Sequence, residues 1–462
     1  MQLTGRKFEE AFKVVAKLRS AGHEALLAGG CVRDLLLGRE PADYDVATSA
    51  TPDVVLDMFE RTFAVGAKFG VVLVAPEDAG FVTEVATYRS DGAYSDGRRP
   101  DAVRYSKSAE EDVQRRDFTI NGLLLDPLRD GGVLSDRDGL RAAVLDYVGG
   151  IQDLDAGVVR AIGRAELRFE EDHLRMLRAV RFAARFGFEL EPATLRAIRT
   201  VAAKVSGVSR ERVRDELTKM LTEGQAQRAF ELLDETGLLT EVLPEIARMK
   251  GVEQPPQFHP EGDVWIHTLM LLEQLEPDCS ATLAWGALLH DVGKPPTFRR
   301  AADRIRFDGH VEMGVTMAAE ICGRLRFSNE ETEQILALVD NHMRFMDTGR
   351  MKESTLKRFL RLPQFDEHLA LHKMDCMAGS GFLENWEFMR EKMRTLPLET
   401  VRPQLLISGR ELIAAGYRPG PLFAEMLREV EDAQLEGKIS TADEALRLVR
   451  ERYGDAPGLG CA

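Results

Sequence analysis

Two aspartates one residue apart, Asp43 and Asp45, follow a pair of glycines, Gly29 and Gly30, near the start of the chain. In a strand, residues i and i+2 point to the same face, so the two carboxylates would repel each other unless a cation joined them. Mg²⁺ binds through a few carboxylates and substrate phosphates, and paired ions clamp phosphoryl displacements. A lone D-x-D pair is more often a solvated acidic loop. The glycine turn, where backbone approaches a phosphate at a helix start, favours a magnesium site for a nucleotide.

Other polar residues of the same region could complete this site. Arg33 falls within one helical turn of the glycines and can make charge-assisted hydrogen bonds to phosphate. Glu84 lies in a strand-like run, where it either faces water or serves the site. Arg116 precedes a helix start and suits a triphosphate, and Asn121 could reach a sugar hydroxyl. Taken alone, this last segment is equally typical of a capped helix.

A third set has helical spacing: Asp172, Arg175, Arg178 and Arg181 are three residues apart and would be neighbours along one helix. A carboxylate beside a guanidinium offers an acceptor and donors together, which suits the Watson–Crick edge of a base. The alternative is a surface salt-bridge ladder worth ~0.3–0.5 kcal/mol per pair. The surrounding segment, residues 158–219, carries 14 Lys/Arg against 9 Asp/Glu, so a polyanion is expected there.

A further cluster of histidines and aspartates begins beyond residue 260. Imidazole and carboxylate together suit a divalent transition metal, and buried histidine or aspartate without a ligand would be costly. The residues expected to take part are His267, His290, Asp291, His310, His342 and Asp375.

The predicted secondary structure changes in type along the chain. Residues 1–150 mix strand-like runs with helices, whereas from about residue 158 apolar residues recur at helical spacing, with breaks at Gly and Pro. The 462 residues suggest about three domains. The sequence therefore predicts an α+β chain with an N-terminal mixed domain and a helical remainder.

Composition narrows the class of protein. With 44% hydrophobic and 30% charged residues, the chain is neither disordered nor collagenous. A net charge of −15 excludes an all-round basic surface, so nucleic acid would need a local patch. Five scattered cysteines without a CxxC pair favour a reduced, cytoplasmic protein. No apolar stretch reaches the ~18 residues of a membrane span, so we expect no membrane association.

Taken in order, several motifs resemble those of class II CCA-adding tRNA nucleotidyltransferases and their bacterial poly(A) polymerase relatives. They are Gly29-Gly30-x-x-Arg33-Asp34, Asp43-x-Asp45, Arg115-Arg116-Asp117-x-x-x-Asn121, Glu171-Asp172-x-x-Arg175 and the run 211–217. The resemblance implies a polymerase-β-like nucleotidyltransferase head over 1–150 and a nucleotide-selecting, RNA-binding neck over 151–245. It also implies an HD domain over 246–395 and a tRNA-binding helical tail over 396–462.

The resemblance also implies residue roles and partners: CTP, ATP and the 3′ acceptor end of tRNA. Asp43 and Asp45 would hold Mg²⁺, with Glu84 at the family's strand glutamate. Asp172 and Arg175 would select CTP and ATP. The remaining nucleotide-binding residues would be Gly30, Arg33, Arg116, Asn121, Arg178 and Arg181.

Two segments bear on which nucleotides are added. Residues 89–100 resemble the flexible loop of enzymes that add the terminal A, and residues 65–70 lack the basic run of the poly(A) polymerase branch. Both favour full CCA addition. The rivals are a poly(A) polymerase, an enzyme that adds only A, or a phosphohydrolase whose head merely binds RNA.

The histidine cluster resembles the HD phosphohydrolase superfamily. His267, His290-Asp291 and Asp375 match its core, and His310 and His342 match the extra ligands of two-metal members. The domain is expected either to hydrolyse phosphoesters or to be a scaffold. Other histidines, including His259, are expected to be structural or at the surface, and the oligomeric state stays open.

Overall fold

The structure is a computed structural model that describes residues 5–66, 70–76, 80–91, 103–129, 137–257, 259–302, 304–379 and 381–454. The chain divides into two compact units. Unit 1 is Met1–Ala247 with Leu275–Asp278, and unit 2 is Arg248–Gln274 with Cys279–Ala462. This division is coarser than the four predicted domains, whose boundaries remain a prediction.

Unit 1 contains a mixed sheet. The strands of unit 1 are β1 Ala25–Ala28, β2 Asp45–Thr48, β3 Thr62–Gly66, β4 Val71–Val74, β5 Thr83–Thr87, β6 Arg89–Asp91, β7 Val103–Tyr105, β8 Leu124–Leu125, β9 Val144–Leu145, β10 Val158–Val159 and β11 Glu189–Leu190. Strands β6 and β7 form a separate pair, as do β10 and β11. Across the described residues the main sheet has the order β3-β4-β5-β2-β1-β8-β9. Within it β2 and β5 are parallel neighbours, with Asp45 opposite Glu84.

The first helices of unit 1 pack against the sheet, and the later ones pack mainly against other helices. The helices of this unit are α1 Arg6–Ser20, α2 Gly30–Leu36, α3 Pro52–Met58, α4 Ala109–Gln114, α5 Arg137–Ala142, α6 Gly150–Ala156, α7 Ala165–Glu171, α8 Leu174–Phe186, α9 Pro192–Val201, α10 Arg210–Thr222, α11 Ala226–Glu235, α12 Leu238–Val242 and α13 Pro244–Ala247. Helix α8 buries an apolar face that includes Leu177 and Val180, packs against α10 and α11, and ends at Gly187 in the left-handed region.

Unit 2 is helical in its described part, apart from a short hairpin of β12 Arg299–Arg300 and β13 Ile305–Arg306. Its helices are α14 Val264–Glu273, α15 Ala281–Leu289, α16 Lys294–Thr297, α17 His310–Leu325, α18 Asn329–Asn341, α19 Glu353–Leu360, α20 Phe365–Ala378, α21 Glu384–Thr395, α22 Leu398–Val401, α23 Gly409–Ala414, α24 Leu422–Leu435 and α25 Ala442–Tyr453. Helix α15 is apolar almost all round because α14, α18 and α20 pack against it.

The predicted fold class is confirmed: a mixed α/β head precedes a predominantly helical remainder. Two local predictions are wrong. Strand β2 begins at Asp45, so Asp43 lies in the loop before it. Helix α8 begins at Leu174, so Asp172 precedes the helix that carries the three arginines. In the part of the chain that the structure describes, no helix is long and apolar enough to cross a membrane.

Candidate nucleotide and metal sites

The three predicted catalytic carboxylates line one cavity of unit 1, with a volume of about 800 Å³. Asp45 and Glu84 lie opposite each other on parallel strands, while the Asp43 side chain is 79% exposed and comes from the preceding loop. Burial and the nearby Glu84 carboxylate raise the pKa of Asp45 to about 6, against the opposing charge of Arg116. Burial likewise raises the pKa of Glu84. Carboxylate oxygens lining one cavity are donors that a hard cation prefers.

Arg33 and Asn121 form a buried part of the cavity wall. The Arg33 guanidinium pairs with Asp34 at 2.8 Å, donates to Asn121 Oδ1 and stacks on Phe182 and Phe186. The Asn121 amide in turn donates to Asp117. The Asn121 side-chain oxygen and nitrogen each make one of these hydrogen bonds, which hold the amide in place, and each atom has one further hydrogen-bonding position with which it could reach a sugar hydroxyl.

Arg116 is held above the glycine turn. Its guanidinium pairs with Asp112 at 3.1 Å, and its Nη1 lies 2.9 Å from where a Cβ on Gly29 would stand. Gly29 itself has φ 72° and ψ −123°, a conformation that glycine adopts without strain. Gly30 is the first residue of α2 and lines the same cavity.

The residues predicted to select the base meet at the start of α8. Asp172 accepts a hydrogen bond from the Leu174 backbone and a bidentate pair from Arg212 at 3.2 and 2.7 Å. Arg175 Nη1 lies 2.6 Å from Glu171 Oε2, and its Nη2 donates to the Arg115 carbonyl. Arg212 belongs to the motif at 211–217, but the sequence predicts no role for it.

Arg178 and Arg181 belong to a dense ion-pair network. Arg178 pairs with Asp117 at 2.7 Å, and Arg181 pairs with Glu216 at 2.7 Å and Glu223 at 3.1 Å. Burial opposes ionisation of Asp117, but the Arg178 charge and hydrogen bonds lower its pKa to about 2. This network is not an exposed ladder, because Arg181 is buried and its partners are Glu216 of α10 and Glu223, the residue that follows α10, rather than residues one turn away on α8.

In unit 2 the predicted histidines and aspartates converge around the end of α15. Donor atoms of His267, His290 and Asp375 lie within 4.8 Å of one another, and so do those of Asp291, His310 and His342. His267 Nε2 lies 3.0 Å from Asp375 Oδ1, and Asp291 faces His290 at 3.2 Å and His342 at 3.7 Å.

Backbone hydrogen bonds fix the orientation of three of these rings. The Nδ1 atoms of His290, His310 and His342 lie 2.7–2.9 Å from main-chain carbonyls. A carbonyl only accepts, so each Nδ1 carries the proton and each neutral ring keeps a lone pair on Nε2. All three Nε2 atoms are buried without a hydrogen-bond partner in the described residues. Orphaned lone pairs beside Asp291 fit a divalent metal ion.

Two residues of this site escaped prediction. Glu261 Oε1 lies 2.7 Å from His267 Nδ1 and 2.9 Å from His259 Nδ1, so it orients both rings. Burial lowers the pKa of His267, but hydrogen bonds to Asp375 and Glu261 outweigh it and raise that pKa to about 9. His259, expected to be structural or at the surface, lines a cavity of about 620 Å³ that also contains Lys294, Arg304 and Arg306.

Three known protein families match successive segments of the chain. The Poly A polymerase head domain matches residues 25–160, the probable RNA and SrmB-binding site of polymerase A matches 187–250, and the HD domain matches 263–376. The chain thus has the parts of a nucleotidyltransferase of the poly(A) polymerase type with an HD domain.

Proteins that are similar over nearly the whole chain identify the family more closely. A CCA-adding enzyme of Lactobacillus gasseri is 32% identical over 95% of this chain and 96% of its own length. The A-adding tRNA nucleotidyltransferase of Deinococcus radiodurans is 33% identical over 94% and 96%. A crystal structure of the Bacillus stearothermophilus CCA-adding enzyme in complex with CTP is similar with a TM-score of 0.73 at 26% identity, covering 97% and 99% of the two chains. The chain belongs to the tRNA nucleotidyltransferase family that includes the CCA-adding enzymes.

One prediction concerns residues that are only partly described. Residues 92–102, which include most of the predicted loop at 89–100, lie outside the described residues, as do residues 67–69 of the segment 65–70.

Proposed function

We propose that this enzyme adds the complete CCA sequence to the 3′ end of tRNA, using CTP and ATP. The observation that carries the proposal is a single cavity in which Asp43, Asp45 and Glu84 stand with Asp172 and Arg175. The carboxylates suit phosphoryl transfer, and the Asp172/Arg175 pair offers an acceptor and donors that match both C and A. Because it acts on tRNA, we place the enzyme in the cytoplasm.

In the proposed reaction the tRNA 3′-oxygen attacks the α-phosphorus of the nucleotide, the bond to the β-phosphate breaks, and pyrophosphate leaves. Asp43 and Asp45 would hold Mg²⁺, which when bound supplies charge stabilisation and activates the attacking hydroxyl. Arg116, above the glycine turn, would contact the triphosphate. Arg178 and Arg181 act through the ion-pair network that fixes the cavity wall.

The experiment uses three tRNA transcripts ending at the residue before C, at C and at CC, each incubated with labelled CTP or ATP and Mg²⁺. Complete CCA on the shortest transcript is the expected product. Addition to the CC transcript alone would identify an A-adding enzyme, and long A tails would identify a poly(A) polymerase. Absence of any addition would leave the head as an RNA-binding domain only.

A second activity is favoured by the orphaned Nε2 atoms of unit 2: we propose a metal-dependent phosphohydrolase. His267, His290, Asp291, His310, His342 and Asp375 would hold the metal, and Lys294, Arg304 and Arg306 in the adjoining cavity suit an anionic substrate. Hydrolysis of bis-p-nitrophenyl phosphate by chelated protein resupplied with Mn²⁺, Ni²⁺, Co²⁺ or Zn²⁺ tests this. Metal binding without hydrolysis would make the domain a scaffold.

A further inference from the structure

We propose that Arg212 is a positioning residue for nucleotide choice: its bidentate pair holds Asp172 so that one carboxylate oxygen stays open to an amino group. The inference rests on the proposed CTP and ATP addition. It begins from the two contacts of 3.2 Å to Oδ1 and 2.7 Å to Oδ2.

The hydrogen bonds of the Asp172 carboxylate are unevenly distributed. A carboxylate oxygen has about two acceptor positions. Oδ1 accepts from Arg212 and from the Leu174 backbone N–H at 3.0 Å, so both of its positions are used. Within the described residues Oδ2 accepts one hydrogen bond, from Arg212. One acceptor position on Oδ2 therefore remains in the wall of the nucleotide cavity.

Arg175 shows the complementary pattern. Its Nη1 makes two contacts, to the Arg168 carbonyl and to Glu171, and its Nη2 donates to the Arg115 carbonyl. A guanidinium has five N–H donors, so Nε and one Nη2 hydrogen are not used by these contacts. The cavity therefore presents one fixed acceptor and a small number of fixed donors beside it.

This arrangement distinguishes bases by the direction of their hydrogen bonds. Cytosine and adenine share an exocyclic amino donor next to a ring-nitrogen acceptor, whereas uracil and guanine place a carbonyl acceptor next to an N–H donor. An acceptor at Asp172 Oδ2 with donors at Arg175 fits the first pair and opposes the second. A carboxylate free to rotate would lose this fixed position.

Arg212 is suited to fix the carboxylate because of the helix that carries it. It lies on α10, which packs against α8, and Glu216 one turn further along α10 pairs with Arg181 of α8. Glu216 thus ties α10 to α8, and the Arg212–Asp172 pair adds a contact between α10 and the segment just before α8. A lysine would keep the charge but not the planar two-point fork.

The test compares Arg212→Lys with wild type in single additions of CTP, UTP, ATP and GTP to tRNA transcripts. We expect kcat/KM discrimination for CTP over UTP to fall about tenfold, mostly through KM, with kcat for CTP changed little. Arg214→Lys is the control, since Arg214 lies on the same helix but pairs with Asp215. Arg212→Gln, with melting temperatures measured for all variants, provides a second test if Arg212→Lys folds poorly.

A double variant separates positioning from a direct contact. If Arg212 acts through Asp172, Asp172→Asn with Arg212→Lys should be no less selective than Asp172→Asn alone. The inference would be overturned if the losses of selectivity in the two single variants added in the double variant. It would also be overturned if Arg212→Lys were as selective as wild type. If wild type does not prefer CTP and ATP, it is the proposed function that fails.

Discussion

Of the three carboxylates in the nucleotide cavity, Asp45 is the most shielded from water. It is held at the start of β2 beside Glu84, and its pKa is raised to about 6 by burial and that neighbour. Asp45→Asn keeps the shape but removes the charge that would hold Mg²⁺. We expect nucleotide addition to fall by at least about a hundredfold, while tRNA binding, which phosphate contacts dominate, persists. Single-turnover rates and a filter-binding assay measure the two, and addition at the wild-type rate would exclude Asp45 as a metal ligand.

Gly29 gives a second residue-scale prediction. A Cβ there would meet Arg116 Nη1 at 2.9 Å, and the backbone conformation is unsuited to other residues. Gly29→Ala should cost about 1–3 kcal/mol of stability and raise the KM for CTP by displacing Arg116. Gly38→Ala is the control, because Gly38 also has a positive φ of 71° but no atom within 4 Å of the added Cβ. An equal KM effect in both variants would show that strain alone, and not Arg116, is responsible.

Glu261 is the residue that we expect to tune the metal site of unit 2. It orients His267 through Nδ1, and partners of this kind typically contribute 10- to 100-fold to metal affinity. Glu261→Gln should weaken Mn²⁺ or Zn²⁺ binding by about that factor, measured by titration against a competing chelator. Glu253→Gln, at an exposed ion pair with Arg300, is the matched control. Unchanged affinity in Glu261→Gln would leave that carboxylate a structural role only.

Residues with a chemical signature of their own could be predicted from the sequence; their supporting residues could not. Asp43, Asp45 and the histidines stand out by type and spacing. Arg212 and Glu261 lie 40 and 6 residues from their partners, and their importance follows from which helix packs on which. The position of His259 at the cavity could not be predicted, because a histidine before a proline and a glutamate has no helical or strand spacing from which to infer a site.

At the scale of elements, one strand and one helix begin later in the chain than the residue spacing predicts. A D-x-D pair predicts two carboxylates on one strand, but β2 begins at the second of them, Asp45, and Asp43 lies in the loop before it. Similarly, the spacing of three continues from Asp172 into α8, yet Asp172 accepts from the Leu174 N–H and so acts at the helix start. A polar side chain that satisfies a backbone N–H at a helix start, as Asp172 does, marks where the regular element begins rather than continuing its spacing.

Helix α20 contributes a pH-dependent element to unit 2. His368 is 1% exposed, and neither ring nitrogen has a partner in the described residues. Burial and the Arg344 charge lower its pKa from the usual 6.5 to about 4. The unfolded chain therefore binds a proton between these pH values that the native chain does not, so stability falls as the pH drops from about 6.5 towards 4.

His368→Leu should remove this part of the acid sensitivity. We expect the variant to match or exceed wild type at pH 7 and to gain about 2 kcal/mol relative to it at pH 5. Urea unfolding followed by tryptophan fluorescence reports on unit 2, since all three tryptophans, Trp265, Trp285 and Trp386, lie there. An equal difference between variant and wild type at both pH values would contradict the assignment.

At the scale of the whole molecule, each proposed site draws its residues from one unit. The nucleotide cavity is lined from Ala28 to Glu223, within unit 1, and the histidine site is built from residues 259–375 of unit 2. The change from a mixed sheet to helices was correctly predicted from hydrophobic periodicity. The grouping of His267, His290, His310 and His342 could be predicted because histidines are few, nine in the chain, whereas His259 and His372, which line the adjoining cavity, were not predicted to belong there.

Two self-contained sites predict two separable activities. His290→Ala with Asp291→Ala removes two of the six proposed metal ligands, so phosphodiester hydrolysis should be lost while CCA addition stays within about twofold of wild type. Asp45→Asn should show the reverse pattern. A bound metal stabilises the folded state by mass action, so the melting temperature of the double variant must be compared with chelated rather than metal-loaded wild type. Hydrolysis that survives in a folded double variant would rule out these ligands. Loss of CCA addition at an unchanged melting temperature would instead show that the two units are coupled.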